Sequence, residues 1–350
     1  MKLFPPVLLH YYITRLCNCR CTFCDIPGDR HDDDILFADP QQVMHNLEQA
    51  KKLHIPFVDF TGGEPLLHPQ LAELLRYAKK LDLRTSVTTN CLLYPQQANT
   101  LKGLVDFLHF SLDALDESLH NHIRGNNVYS AVMHSIDLAL ELGESPDLLY
   151  TVTNKNIAEL DPLAEFARQE RLMLIVNPVF IKPALANRNL ALLEKFNRHP
   201  NVYLNRAFLR LRCRGGNSVS HPRCRAVAST LVISPDNHIL LPCYHYTQAK
   251  LSTPAVLSEI YKNKTWREYR SMQGRFNFCA GCAINCYFDP SFLYTPDSYM
   301  LESLAAKARY ALTKYIEHKF RYPAKSGARL RAAEIAGIIN RRKNRLINAD

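Results

Sequence analysis

The chain has 350 residues, of which 47% are apolar and 22% charged, and a formal net charge of +10. This is the composition of a soluble globular protein of one large domain with an appendage, or of two domains. No run of eighteen apolar residues occurs, which excludes a transmembrane helix. Pro5, Pro6 and His10 interrupt the N-terminal apolar run, so a signal peptide is not expected.

The predicted elements alternate. Residues 7–14 (VLLHYYIT) form an apolar strand, and 39–53 a helix with Pro40 near its start. Strand 55–60, helix 68–81, strand 83–89 and a short helix 95–103 follow. Strand 105–112 and helix 127–143, closed by Gly143, come next. Strands 146–153 and 171–178 flank a helix over 156–170. Near-continuous apolar strands suit a parallel sheet covered by helices. Six strand-helix units are too few for a closed eight-stranded barrel and leave a doubly wound sheet or an open barrel. Beyond residue 180 the pattern changes. A helix at 189–200 precedes a hairpin over 226–243 that turns at Asp236 and Asn237. A cysteine-rich loop spans 279–286, and helices are expected at 297–320 and 326–342. The expected division is 1–204, 205–300 and a basic end at 301–350.

Eleven cysteines are present. An odd, clustered set in a chain of this length points away from disulfide staples. A reducing, cytoplasmic compartment and metal or cluster ligation are expected. Cys17, Cys21 and Cys24 have the spacing C-x3-C-x2-C. Three thiolates on a four-iron cluster leave one iron open for a ligand.

Cys17-x3-Cys21-x2-Cys24 after an early strand resembles the signature of the radical SAM superfamily, and Phe23 supplies the aromatic residue that usually precedes the last cysteine. "TGGEP" (61–65) stands where that family has its glycine-rich motif. The resemblance implies a partial (β/α)6 TIM barrel of the α/β class. It also implies a [4Fe-4S] cluster on the three cysteines and bound S-adenosylmethionine. Gly62 and Gly63 would admit the ligand's ammonium group, with Glu64 and Pro65 shaping the turn. Polar strand ends at Asn90, Ser111, Asp113 and Asn154 would line its groove, as Phe23 lies near the adenine. Arg124, in "HNHIRG", would steady its carboxylate or a neighbouring loop, and Asn177 would face substrate. Taken singly, these polar residues also suit helix caps. Cys19 is expected as a spare thiol facing away. Cys91, beyond Asn90, is a candidate catalytic thiol whose alternative is a buried cysteine.

The second half holds Cys213, Cys224, Cys243, Cys279, Cys282 and Cys286. The hairpin brings Cys224 and Cys243 together, and Cys279-x2-Cys282 supplies a second pair. Four such thiolates suit either a four-iron cluster or zinc. Their order resembles the SPASM or shortened twitch domains of the same superfamily. That resemblance implies one auxiliary [4Fe-4S] cluster on Cys224, Cys243, Cys279 and Cys282, with Cys213 and Cys286 in reserve.

The implied activity is reductive cleavage of S-adenosylmethionine to a 5′-deoxyadenosyl radical, which takes hydrogen from a substrate. An oxidative modification of a peptide or small molecule is expected, with a ferredoxin or flavodoxin as electron donor. Sixteen residues precede Cys17, so an N-terminal precursor-gripping domain is not expected. Residues 301–350 hold twelve Lys/Arg and four Asp/Glu. Leu330, Ile335, Ile338 and Ile339 fall at mostly helical spacing among arginines there. This suits a packing helix, or one lying on the inner face of a membrane beside a lipid or isoprenoid substrate. Nucleic acid is not expected. The reading of a different class is a zinc- or iron-sulfur-stabilised scaffold without catalysis.

Overall fold

The computed structural model describes residues 4–24, 37–180 and 185–317, together with Ala332 and Ile335. The helix expected at 326–342 lies outside the described residues except at those two positions, which are helical. The last three residues of the one expected at 297–320 also lie outside them.

Six parallel strands pair in chain order: β1 (Leu8–Thr14), β2 (Phe57–Gly62), β3 (Arg84–Thr89), β4 (Phe107–Ser111), β5 (Asp147–Val152) and β6 (Leu174–Pro178). Helices α1 (Pro40–Lys52), α2 (Leu71–Lys80), α3 (Tyr94–Leu101), α4 (Glu117–Arg124), α5 (Tyr129–Glu141) and α6 (Leu160–Glu170) connect them. This is the open, partial TIM barrel. Local chemistry fixes the helix ends. The Asp39 carboxylate accepts the Gln42 N–H at 2.9 Å, with Pro40 in the first turn of α1. Asp116 caps α4 through the Leu119 N–H at 2.7 Å, and Gly125 closes it at φ 63°.

The second half is α7 (Asn187–Phe196), β7 (Val202–Tyr203), α8 (Arg206–Cys213), α9 (Ala226–Ser229), β8 (Thr230–Ile233), β9 (His238–Leu241), β10 (Ala249–Ser252), α10 (Lys264–Met272), α11 (Asn285–Ser291) and α12 (Ser298–Leu312). The predicted hairpin is β8–β9, but it does not stand apart from the barrel. β8 runs parallel to β1, with Leu8–Tyr11 opposite Thr230–Ile233. The sheet order is therefore β10-β9-β8-β1-β2-β3-β4-β5-β6-β7. Strand β1 needs a partner on its open side, and β8 satisfies its backbone groups there.

The pleat sends alternate residues to two environments. Leu9, Ile13, Val58, Phe60, Val87, Phe110 and Val176 join the core under the helices. Tyr12, Val232 and Leu240, on the other face, pack with Phe208, Tyr287 and Phe288 of α8 and α11. Along β2 to β6 that inner face stays half-open. Asp59, Thr61, Ser86, Thr88, His109, Thr151 and Asn177 are only partly buried, while their sequence neighbours are buried. The barrel thus keeps a lumen lined by polar side chains. At its floor, Asp147 at the start of β5 meets Tyr310 Oη at 2.6 Å and Lys314 Nζ at 2.5 Å, both from the C-terminal helical segment.

Candidate active site

The cysteine loop leaves β1 at Thr14, at the strand ends where barrels of this type build their sites. Its backbone interlocks with the turn after β2. The Gly63 N–H donates to Thr14 O at 3.1 Å, and the Glu64 N–H to Leu16 O at 2.7 Å. A Cβ on Gly62 would lie 2.0 Å from Thr14 O, and one on Gly63 2.1 Å from Leu16 O. These glycines are needed for loop-on-loop packing. This is a demand on Gly62 and Gly63 beyond the one read from sequence.

Helix α4 clamps the same loop from the other side. Its last carbonyls, of Ile123 and Arg124, accept the N–H groups of Thr22 and Arg20 at 2.9 and 3.0 Å. The Arg124 guanidinium is buried. It pairs with Asp113 at 2.7 Å, donates to Cys21 Sγ at 3.7 Å and lies 5.4 Å from the Phe23 ring centroid. Asp113 also accepts the Thr151 N–H at 2.8 Å. Burial pushes the Asp113 carboxyl up, against the pull of Arg124. Arg124 and Asp113 therefore meet each other and Cys21 beneath the loop.

Cys17 and Cys21 are half-buried and Cys24 is exposed. Burial raises the Cys17 and Cys21 thiols, and the Arg124 charge opposes this at both. Cys19 is buried. It is 1% exposed, its N–H donates to Cys17 Sγ at 3.4 Å, and burial followed by Cys21 and Cys17 pushes it up to about 12.

Glu64 bridges two turns. Its carboxylate accepts the Leu66 N–H at 3.1 Å and the Asn90 N–H at 2.8 Å. Burial nevertheless pushes it up to about 7. A carboxyl that binds its proton more tightly folded than unfolded loses folding stability as pH rises from about 4.5 to about 7. The cluster-free protein should therefore show a falling stability, relative to Glu64→Gln, across that window. The difference should be on the order of 3 kcal/mol. Parallel urea titrations of both chains at several pH values measure it, and equal slopes would remove the burial cost assigned to Glu64.

The other strand ends divide. The Asn90 side chain donates to Asn18 Oδ1 at 2.6 Å, tying β3 to the cysteine loop. Ser111 is buried at the end of β4. Asn154 turns away. Its Oδ1 accepts the Ala186 N–H and the Asn189 side chain, both at 2.9 Å, so it caps the start of α7. Asn177 accepts from the Asn285 side chain at 2.6 Å. Cys91 is fully buried at φ 70°, with its thiol near Thr89 O and pushed well up by burial. It belongs to the core, the alternative expected for it.

Sequence reasoning missed Asn18, His120 and Asn156. His120 Nδ1 accepts the Asp113 N–H at 3.1 Å, and burial lowers this imidazole to about 3. Asn156 is buried and donates to Asp113 O and Thr151 O. Each lies within a few residues of a motif that was recognised. The missing signal was the contact across strands. The lumen row was missed as well: His10 pairs with Asp59 at 3.1 Å, His109 with Thr88 at 3.2 Å and with Asp147 at 3.5 Å.

Cys224, Cys243, Cys279 and Cys282 line one small cavity with Tyr246, Gly274, Tyr287 and Phe288. Asn217 braces its rim by donating to Gly274 O and Cys279 O at 2.8 and 3.1 Å. Burial pushes Cys243 up to about 12 and Cys282 up to about 11, and raises Cys224. Thiols so costly to ionise alone fit a site completed by a metal group. Among the described residues no three His, Cys, Asp or Glu side chains close on a single-ion site. Of the reserves, Cys213 is exposed, with Glu194 and Arg212 as its charged neighbours, and does not line that cavity. Cys286 stays near Cys282 and Cys224, on the side of Asp59.

One cysteine set thus stands at the strand ends of the partial barrel and a second around a separate cavity. Residues 11–167 match the model of the Radical SAM superfamily, so the chain carries a radical SAM domain. Curated relatives include a probable GTP 3′,8-cyclase of Sulfolobus acidocaldarius, 32% identical over 47% of this chain and 53% of its own length. Another, of Methanococcus aeolicus, is 31% identical over 47% and 57%. The chain spans about half the length of the curated relatives it matches. Among solved structures, Streptococcus suis SuiB bound to S-adenosylmethionine has a TM-score of 0.65 at 18% identity, over 85% of this chain and 77% of that one. The anSMEcpe structure with bound AdoMet scores 0.61 at 16%, over 90% and 100%. These likenesses show the fold. The superfamily works with a [4Fe-4S] cluster and S-adenosylmethionine.

Proposed function

We propose that this chain is a radical SAM enzyme that modifies a polar substrate held in the barrel lumen, with one auxiliary [4Fe-4S] cluster. The observation that carries the reading is the loop of Cys17, Cys21 and Cys24, clamped between the Gly62–Glu64 turn and Arg124 at the strand ends of a radical SAM domain. When bound, the cluster and S-adenosylmethionine supply a carbon radical that takes a hydrogen atom from substrate. The chain's residues do the rest. Arg124 orients Cys21, Glu64 and Asn90 lock the turns beside the loop, and Lys314 with Tyr310 closes the floor against water. We assign the auxiliary cluster to Cys224, Cys243, Cys279 and Cys282, within a C-terminal unit of about 205–300. Their placement around one cavity gives four thiolates to a single group, and their order after the barrel, which resembles the auxiliary-cluster domains of the superfamily, favours an iron-sulfur cluster over zinc.

The lumen supports a polar substrate. Its wall carries the His10–Asp59 pair at 3.1 Å and the Thr88–His109 pair at 3.2 Å, a polar lining on which an isoprenoid chain would bury no apolar surface. Ile335, one of the four apolar residues considered for lipid contact, is instead 3% exposed in the main core, which supports a packing helix. A peptide meets the requirement, as in the structures of SuiB with precursor peptide SuiA and of anSMEcpe with the Cp18Cys peptide. A nucleoside triphosphate is the substrate named for the curated relatives; Arg84 is tied to Asp106 and Lys314 to Asp147, whereas Arg212, donating to Pro178 O and Val179 O at the end of β6, has no carboxylate partner among the described residues. A ferredoxin or flavodoxin would supply electrons. Eleven free thiols among the described cysteines support a cytoplasmic setting.

Anaerobic reconstitution tests the assignment. The parent should bind about eight irons in two four-iron clusters. Reduced with dithionite, it should form 5′-deoxyadenosine from S-adenosylmethionine. Changing Cys17, Cys21 and Cys24 together to Ala should abolish that product, and Cys19→Ala should not. Stoichiometric zinc without iron, or product from the triple variant, would overturn the assignment.

A further inference from the structure

We propose that the surface over the auxiliary cysteines docks an acidic one-electron carrier protein, gripped by Arg225 and Arg275 around an aromatic stack. The inference rests on reading Cys224, Cys243, Cys279 and Cys282 as cluster ligands.

Three guanidiniums crowd this surface. Arg225 Nη1 donates to the Cys224 carbonyl at 3.3 Å, beside the cavity. Arg275 Nη1 reaches across to Ser220 O at 3.4 Å, next to the 223–225 segment. Gly274 seats that turn, since a Cβ there would lie 2.8 Å from Pro222 Cβ and 3.1 Å from Cys224 Cβ. Arg223 is the third, partly spent on Asp297 and on the Tyr299 ring at 4.5 Å. Among the described residues, Arg225 and Arg275 have no carboxylate partner. Like charges held together without counter-charges repel, which favours an anionic visitor.

The apolar half of the surface is a run of rings. Phe276 stacks on Phe278 with centroids 5.1 Å apart, and Phe278 on Tyr246 at 5.4 Å. Tyr246 is 42% exposed and also lines the cysteine cavity. One side-chain layer therefore separates the thiols from solvent at this place. An aromatic centre with a basic rim suits a small, transient, charge-steered interface. Arg225, touching a ligand's own carbonyl, also helps offset thiolate charge. The exposed Arg275 makes no contact with a thiol, and the local cluster does not explain it.

The test uses the reconstituted chain and a bacterial flavodoxin as probe, with binding followed by surface plasmon resonance. Affinity should fall tenfold or more between 50 and 200 mM salt, an order-of-magnitude expectation for a charge-steered contact. Arg275→Glu should weaken binding about tenfold or more. Iron content and dithionite-driven cleavage of S-adenosylmethionine should stay at parent levels. Arg225→Gln, checked for iron content, should act in the same direction. Salt-independent binding, or Arg275→Glu within about twofold of the parent, overturns the proposal. So does an effect of the same variants on single-stranded DNA or phosphatidylglycerol vesicles without one on flavodoxin. A parent that holds four irons instead of eight overturns the cluster reading beneath it, which iron analysis reports separately from docking.

Discussion

Arg124→Met is expected to cost roughly 3–5 kcal/mol of folding stability and to abolish formation of 5′-deoxyadenosine. The Asp113 carboxylate is fully buried, and Arg124, at 2.7 Å, carries the one positive charge beside it among the described residues. Removing the guanidinium strands that charge, and Met cannot replace the donation to Cys21 or the contact over Phe23. The loop carrying Cys21 and Cys24 would then be held on this side by backbone hydrogen bonds to α4 and by the Asn126 side chain on Asn18 O at 2.7 Å. Urea denaturation of the cluster-free protein measures the first effect. Arg124→Met combined with Asp113→Asn should recover part of the stability, because the stranded charge is gone. It should not recover activity. A single variant within about 1 kcal/mol of the parent would mean that water reaches Asp113 and the pair is not sealed.

Much of this architecture was legible because local chemistry wrote it. Five of the six barrel strands carry apolar stretches and β3 carries β-branched Thr and Val residues, while Asp39, Pro40, Gly103 and Gly143 mark helix ends in the sequence itself. Helix α4 carried comparable signals, Asp116 and Gly125, but "HNHIRG" drew attention as a motif and the helix around it was not drawn. What stayed hidden depends on distant contacts. The register of β8 against β1 joins residues more than two hundred positions apart. Arg15 of the cysteine loop meets Asp236 in the hairpin turn at 3.1 Å. The polar strand ends illustrate the same divide. Asn90 reaches the cysteine loop, whereas Asn154, the same residue type just beyond another strand end, caps α7. Only the placement of Ala186 and Asn189 decides between them. Cys91 and Cys213 were ambiguous for a simpler reason: spacing does not report burial, and one is sealed in the core while the other is exposed.

Changing Cys279 and Cys282 together to Ala is expected to halve the iron content, from about eight to about four per chain. It should block product formation and leave uncoupled cleavage of S-adenosylmethionine. The two cysteine sets are built by different elements. Cys17, Cys21 and Cys24 hang on β1, the β2 turn and α4, whereas Cys279 and Cys282 face the cavity shared with Cys224 and Cys243. No hydrogen bond or ion pair shown here links Arg124, Glu64 or Asn90 to that cavity, so the first site should survive its loss. The hazard is structural. A bound metal group contributes folding free energy, and four buried thiols raised by burial become an unfilled hole once it leaves. Circular dichroism and a melting curve must therefore accompany the assay, with Cys213→Ala as the control that keeps all its iron. A folded double variant that still binds about eight irons would put the second cluster on other ligands, with Cys286 the nearest candidate. A folded variant with half the iron and full turnover would reduce the cluster to a staple between the hairpin and the 274–282 turn.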